Sequence, residues 1–326
     1  MVVVSANTGA VELMTSTVEV NMARRQTPVA VSSYVEFVEE PIVAGVNRLL
    51  DLDGDAGTVA IETGYLPADR YQRLLSAGLG PTYRPLGEWF TRMRQIKDER
   101  EIAVLTDLGR ATESIVADAF AAARAGDTER GVYNALLRGV HDRGHALSHA
   151  TLAAGGNVSR SHHRADDTVL SNGDLVRVDM GVASGGYLSD IARMAVVGEP
   201  SPLQTARYRH VVDAERRMID RFRPGVDTRA VFAQWRQRLE REAASTSMAL
   251  IAHGIGLALH EDPQVDERSS WEIQPGMVLC VEPMVEYPDG EVYHVEDLIL
   301  VTEDSPRYLT DPSGADTLTI IPGEQS

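Results

Sequence analysis

The sequence predicts an α+β protein in two parts. Three observations predict it. The first ninety or so residues mix short strand-like runs with helical stretches. After them a helix pair, a hairpin, a second helix pair and a second hairpin follow in order. Turn dipeptides sit at the centre of each hairpin.

In the first part, Thr58–Ile61 has strand character and 67–77 has helical spacing, giving a small α/β unit over residues 1–92. Its His, Asp and Glu residues do not cluster in a catalytic way. The texture changes near Trp89–Lys97, where Ile96, Ile102, Leu105, Leu108, Ile115 and Phe120 recur near helical spacing and predict one long amphipathic helix stopped by Gly126. Asp127-Thr128 reads as the N-cap of a second helix through about Arg143, ended by Gly144. Turn signals follow at Asn172-Gly173, Ser184-Gly185-Gly186, Pro275-Gly276 and Asp289-Gly290. Between them, residues 175–182, 187–197, 277–287 and 292–301 read as strands, and 203–221 and 228–244 as helices. Residues 93–326 thus form a second domain of two similar halves.

Composition narrows the class. The 326 residues are 43% hydrophobic, enough for a packed core, and carry a formal charge of −17. Such a chain repels nucleic acid and anionic lipid surfaces, so neither is an expected partner. Part of the acidity is neutralised if carboxylates hold metal ions. Cys280 is the single cysteine, which excludes an intrachain disulfide and fits a reducing compartment. The opening Val2-Val3-Val4 run has no basic flank, and no run reaches membrane-spanning length, so the expected location is the cytoplasm.

Four carboxylates stand out. The midpoint between Asp179 and Asp190 falls between Ser184 and Gly185, inside a predicted turn. Directly opposed across a hairpin, the two aspartates would have Cα atoms about 4.5–5.5 Å apart. Like charges so placed are destabilising and need a compensating cation. Arg193 lies an odd number of residues from Asp190 and points to the other face. The second hairpin repeats the pattern: the midpoint between Glu282 and Glu296 is Asp289, at a Pro-Asp-Gly turn. Both glutamates sit among apolar strand residues, where a carboxylate is costly unless paired or bound to metal. With His253 they make a set of four carboxylates and one imidazole, suited to two hard or borderline divalent ions: manganese first, then cobalt, zinc or iron. Two ions about 3.5–4 Å apart can activate a bridging water.

These residues resemble a known family. The run from Asn172 to Gly181, followed by Gly186 to Arg193, resembles the paired-aspartate motif of Xaa-Pro peptidases, prolidases and methionine aminopeptidases, the pita-bread metallopeptidases. His253-Gly254-Ile255-Gly256, His260-Glu261-Asp262-Pro263, Val281-Glu282-Pro283 and Val295-Glu296-Asp297 resemble its remaining motifs, in the same order and spacing. The resemblance covers the chain from about residue 93. It implies a pita-bread C-terminal domain and metal ligation by Asp179, Asp190, His253, Glu282 and Glu296, with Asp190 and Glu296 shared by both ions. Glu282 would be the general base. His162, seventeen residues before Asp179, and His260, seven after His253, would bind substrate and assist catalysis. The implied reaction removes an N-terminal residue by attack of a metal-bridging hydroxide. The N-terminal part resembles the family's creatinase-like domain through residues 58–66 and the junction 94–102. It is short, as though the first strands and helix were missing, and a sheet edge so exposed would be covered in a homodimer.

One position departs from the family pattern. Many prolidases and Xaa-Pro aminopeptidases carry an arginine two residues before the last metal glutamate, where this chain has His294. His294 shares a strand face with Glu296 and is expected to point at the site and contact substrate, without the fixed charge of a guanidinium. The expected substrate is a small peptide, with a small-molecule amide acted on by a C–N hydrolase or lyase as the alternative. A methionine aminopeptidase and a non-catalytic binding protein are further readings. His163 reads as a surface histidine, and His141, His145, His149 and His210 as structural or solvated.

Overall fold

In the computed structural model, which describes residues 1–54, 57–242 and 244–324, the chain forms two units, Met1–Thr91 and Arg92–Ser326. The first contains β1 (Val2–Val4), β2 (Val11–Ser16), α1 (Val20–Gln26), β3 (Ala30–Tyr34), α2 (Pro41–Asp53), β4 (Thr58–Ile61), α3 (Ala68–Ser76) and β5 (Thr82–Pro85). β1, β2 and β3 form one sheet and β4 pairs with β5 in parallel. Val46, Val59, Ile61 and Leu74 form a small core there.

After α4 (Gly87–Gln95), the long helix predicted from Ile96 onward starts later. α5 is Glu99–Ala122, opened by Asp98, whose carboxylate accepts from the backbone N–H groups of Arg100 and Glu101 while Glu101 reaches back to the Asp98 N–H. That capping box satisfies otherwise orphaned donors and fixes the start. Ile96 instead pairs with Met277 in a β-bridge. α6 (Glu129–Asp142) is capped by Thr128, whose hydroxyl accepts from Gly131 N–H.

The strand β6 (Ala146–Ala154) follows, unread in the sequence because its Ala, Ser and His residues lack the β-branched signature. Then come β7 (Leu175–Ser184), β8 (Tyr187–Leu188), β9 (Ile191–Val197), α7 (Pro202–Ile219) and α8 (Thr228–Arg241). β10 (Leu250–Gly254), β11 (Glu261–Asp266), β12 (Val278–Val281), β13 (Met284–Glu286), β14 (Val292–His294), β15 (Asp297–Leu300), β16 (Arg307–Tyr308) and β17 (Thr319–Ile321) complete the chain.

One sheet has the order β17-β9-β7-β6 and a second the order β11-β10-β12-β15-β16. Each half packs its strands under its own helix pair. Leu105, Ile115, Phe120 and Leu136 of α5 and α6 pack with Val176, Val178 and Met180. Tyr208, Val211, Val231 and Trp235 of α7 and α8 pack with Leu279, Val281 and Tyr293. The two sheets meet where Glu296 N–H donates to Ala192 O at 3.2 Å. Among the described residues, no helix is long and apolar enough to cross a membrane.

Candidate metal centre

The turn of the first hairpin sets the position of the first two acids. Gly185 and Gly186 both take positive φ, 59° and 88°, which suits a two-residue hairpin loop. The register then pairs Asp179 with Ala192 rather than with Asp190, so the expected direct opposition of the two aspartates does not occur. The hairpin turns one position later than its sequence midpoint suggested, and every partner moves by two. Parity is unchanged, so the two side chains still share a face. Asp190 lies in the break between β8 and β9. There Ser189 O comes so near Gly181 that a Cβ on that glycine would stand 1.8 Å away, so only glycine fits.

In the second hairpin, Val281 pairs with Asp297 and Met284 with His294. Both flanking pairs keep the predicted register, which sets Glu282 opposite Glu296 at the break around Pro283. Proline cannot donate to the ladder, and the interruption falls at the acids. His253 is on β10, paired with Cys280 on β12.

Ligand atoms of Asp190, His253 and Glu296 lie within 4.8 Å of one another, as do those of Glu282, His294 and Glu296. His253 Nε2 is 3.8 Å from Asp190 Oδ2 and 3.4 Å from Glu282 Oε1. Asp179 and Asp190 converge with His149 in a further grouping. The exposed ring of His260 lies 4.3 Å from that of His253, centroid to centroid, and groups with His253 and Glu282. His294 is buried, with Nε2 3.9 Å from Glu282 Oε2. His162 is exposed and joins none of these groupings among the described residues.

The loop that carries His162 is held from two sides. Arg177 Nη2 donates to the carbonyls of Arg160 and Ser161 at 2.8 and 3.0 Å. His163 is not the surface residue its sequence context suggested. Its ring is 7% exposed and Nε2 lies 2.7 Å from Glu129 Oε2, because buried Glu129 needs a partner. Glu129 also accepts from the backbone N–H groups of Ala154 and Asp166.

Electrostatics follow from burial. Desolvation pushes Glu282 and Glu296 well above the usual carboxylate range, with neighbouring acids adding to it, and lifts Asp190 to about 6. Desolvation lowers His253 to about 3 and His294 to about 4. His149 goes the other way: burial works against its charge, but its close contacts to Asp179 and Asp190, and the charges of both, hold it up at about 10.

The donor set fits a bound cation. His253 Nδ1 lies 2.9 Å from Gly254 O, which fixes the proton on that nitrogen and leaves the Nε2 lone pair free. His253 Nε2, Asp190 Oδ1 and Glu296 Oε1 are buried without hydrogen-bond partners. Buried acceptors left in this way are costly unless a cation binds them.

Two contributors escaped the sequence reading, and a third, Arg193, stands on the far face that its parity predicted. His149 is neither structural packing nor solvated but stands against Asp179 and Asp190. Cys280 Sγ groups with Asp190, His253 and Glu296, its thiol kept protonated by burial and the acids beside it. Behind the site, Arg193 Nη1 donates to Glu296 O at 2.7 Å while Nη2 donates to Glu113 and Asp297, both at 2.6 Å. The Xaa-Asp pairing after Glu296 and the parity of Arg193 could have suggested that last link.

The model of Metallopeptidase family M24 matches residues 103–303, which span Asp179, Asp190, His253, Glu282 and Glu296. The chain belongs to this family. An uncharacterized peptidase of Bacillus subtilis, YqhT, is 30% identical over 229 residues, covering 69% of this chain and 65% of its own. The probable dipeptidase PepE of Mycobacterium tuberculosis is 32% identical over 216 residues, covering 65% and 58%. The chain thus matches less than two thirds of the length of these relatives. Among solved structures, an X-Pro aminopeptidase from Thermotoga maritima superposes with a TM-score of 0.84 at 22% identity, over 96% of this chain and 86% of that one. Prolidase from Pyrococcus furiosus gives 0.81 at 24%, over 93% and 87%. The fold is the pita-bread fold of these M24 enzymes.

Proposed function

We propose that the chain is a dinuclear-metal peptidase that removes an N-terminal residue from a small peptide, of the Xaa-Pro aminopeptidase or dipeptidase type. The observation that carries this reading is the convergence of Asp179, Asp190, His253, Glu282 and Glu296, with three of their ligand atoms buried and unpartnered. Asp179 would chelate one ion, His253 and Glu282 the other, and Asp190 and Glu296 both. Bound ions of this kind supply an acidified water and polarise a substrate carbonyl. As that water's oxygen bonded to the carbonyl carbon, Glu282 would accept its proton and deliver it to the amide nitrogen as the C–N bond broke. His260, exposed beside His253, and His162, on its clamped loop, hydrogen-bond the substrate and steady negative charge on its carbonyl oxygen. His294, buried with Nε2 3.9 Å from Glu282 Oε2, would contact substrate beside that acid. Family membership and relatives named dipeptidase and Xaa-Pro dipeptidase support the substrate class.

Manganese, with cobalt, zinc or iron as alternatives, a cytoplasmic location and a homodimer complete the proposal. β1 and β3 are the edges of their sheet, and Val2 and Val4 are exposed, a surface that a second copy would cover. A second reading rests on His294: with no guanidinium at that position to hold a substrate carboxylate, a C–N hydrolase or lyase of a small metabolite is the alternative to a strict dipeptidase. Metal analysis of protein purified without chelators, followed by assays on Xaa-Pro dipeptides, longer Xaa-Pro peptides, Met-Ala peptides and small amides with added manganese, decides between them. Turnover confined to the amides supports the second reading. Absence of metal-dependent turnover on all four removes both.

A further inference from the structure

We propose that His149 is a sixth protein ligand of the metal pair, binding through Nε2 the ion that Asp179 chelates. The inference rests on reading the cluster as a metal centre.

His149 lies on β6, next to β7, just past a register irregularity between Leu147 and His149 that turns its side chain toward Asp179. Its Nε2 is 3.2 Å from Asp179 Oδ1 and 2.9 Å from Asp190 Oδ1. Two donors bound at about 2.1 Å to one ion, at right angles, stand roughly 3 Å apart. Both contacts of this nitrogen have that spacing, and His149, Asp179 and Asp190 each bring a ligand atom within 4.8 Å of the others.

Hydrogen bonding alone does not account for the arrangement. One ring N–H can point at one oxygen. The contact to Asp179 meets hydrogen-bond geometry, whereas Asp190 Oδ1 is left without a hydrogen-bond partner despite the 2.9 Å separation. Three such atoms brought together, one of them without a hydrogen-bond partner, are placed as neighbours around a cation. The fold also makes room for this ring. A Cβ at Gly181 would stand 2.9 Å from His149 Cε1, so the glycine clears the space beneath the imidazole. On the outer side Nδ1 lies 3.3 Å from Ser148 Oγ, a partner able to hold the ring in orientation.

The consequence is chemical. The Asp179 ion would otherwise see carboxylates only, a set that suits hard ions. An added imidazole shifts that position toward borderline ions such as zinc, cobalt or iron. The two metal positions would then each carry one histidine, His149 on one and His253 on the other.

The test uses the full chain, stripped and reloaded with cobalt(II), as wild type, His149→Phe and His149→Gln. Circular dichroism confirms that each variant is folded. X-ray absorption counts imidazoles per protein, and calorimetric titration gives affinity. The expected result is loss of one imidazole from the cobalt shell in both variants, with affinity for one of the two ions reduced on the order of tenfold or more. An unchanged imidazole count in the folded variants overturns the proposal, as does full recovery of wild-type affinity in His149→Gln, which keeps a hydrogen-bonding group without imidazole. Wild-type protein that takes up no cobalt removes the metal-centre reading itself, a distinct failure.

Discussion

Lys97 Nζ lies 3.0 Å from Glu261 Oε2, and the two side chains are 2% and 6% exposed. This is the chain's single lysine, and it meets the residue next to His260. The other oxygen of Glu261 accepts from the backbone N–H groups of Leu257 and Ala258 at 3.0 and 3.1 Å. One buried carboxylate thus ties the loop between His253 and His260 to the segment just before α5.

Lys97→Met should therefore be strongly destabilising, by about 3–5 kcal/mol, because it leaves a buried carboxylate without its cation. The double variant Lys97→Met with Glu261→Gln should recover much of the loss, since the amide carries no charge. Chemical denaturation of the single and double variants measures the difference. Equal stability of both would mean that the charge of Glu261 is solvated in another way.

The proposed metal ligands and the proposed substrate-side histidine should separate by what their removal takes away. Glu296→Ala and Asp190→Ala each delete a ligand placed between two groupings, so bound metal should fall below two ions per chain and activity should vanish with it. His260→Ala removes an exposed ring and should leave metal content unchanged while lowering turnover by roughly 10²-fold or more. Elemental analysis beside the activity assay tells the cases apart. Metal loss in His260→Ala equal to that in Glu296→Ala would make His260 a ligand.

How far the sequence foretold this site depended on the kind of signal. The second hairpin was legible to the residue, because its Pro-Asp-Gly turn left one register, with Val281 opposite Asp297. The first was misplaced, because three consecutive turn-forming residues, Ser184-Gly185-Gly186, admit more than one turn centre. His149 was illegible for a different reason. β6 carries little strand propensity, and its register irregularity decides which face the imidazole takes. His163 and Glu129 are thirty-four positions apart, a pairing only the tertiary fold makes. The cap at Asp98 was written in local residues, yet apolar periodicity through Ile96 masked it.

Loosening the His162 loop should affect catalysis without touching metal. Arg177 is 2% exposed, and its guanidinium holds the carbonyls of Arg160 and Ser161. Arg177→Met fills the same apolar surroundings but leaves those two carbonyls without their donor, costing about 1–3 kcal/mol. The expected pattern is unchanged metal content, a raised KM and faster proteolytic cleavage near residue 160. Unaltered cleavage and kinetics would show the loop to be fixed by Glu129 alone.

Metal uptake should weaken in acid with a definite sign. Burial lifts Asp190 to about 6 in the metal-free site. A cation binds the ionised carboxylate, so below that pH each binding event must also displace this proton. Affinity should fall by about an additional tenfold per pH unit as pH drops through 6. His253, lowered to about 3, stays neutral across this window and adds no slope. Cobalt titrations between pH 5 and 7.5 measure the change, and a slope that does not steepen below 6 would contradict it.

A last prediction concerns Glu215, which is 1% exposed and has one carboxyl oxygen, Oε1, without a hydrogen-bond partner. Burial pushes its pKa well above the usual range; Asp297 pushes it further, and Arg193 opposes them. For a carboxyl raised on folding, the native state binds the extra proton. Stability from this group is therefore full below its unfolded pKa near 4.5 and is lost progressively as pH rises toward the folded value. Glu215→Gln keeps the shape and a donor toward Asp297 but removes the titration. In metal-free protein, where linkage to the cation is absent, the variant should match wild type near pH 5 and exceed it at pH 8, with a flatter profile between. Urea denaturation across that range reads both curves. Parallel curves would mean that Glu215 is ionised in the folded protein, with Arg193 balancing Glu113, Asp297 and Glu215 together.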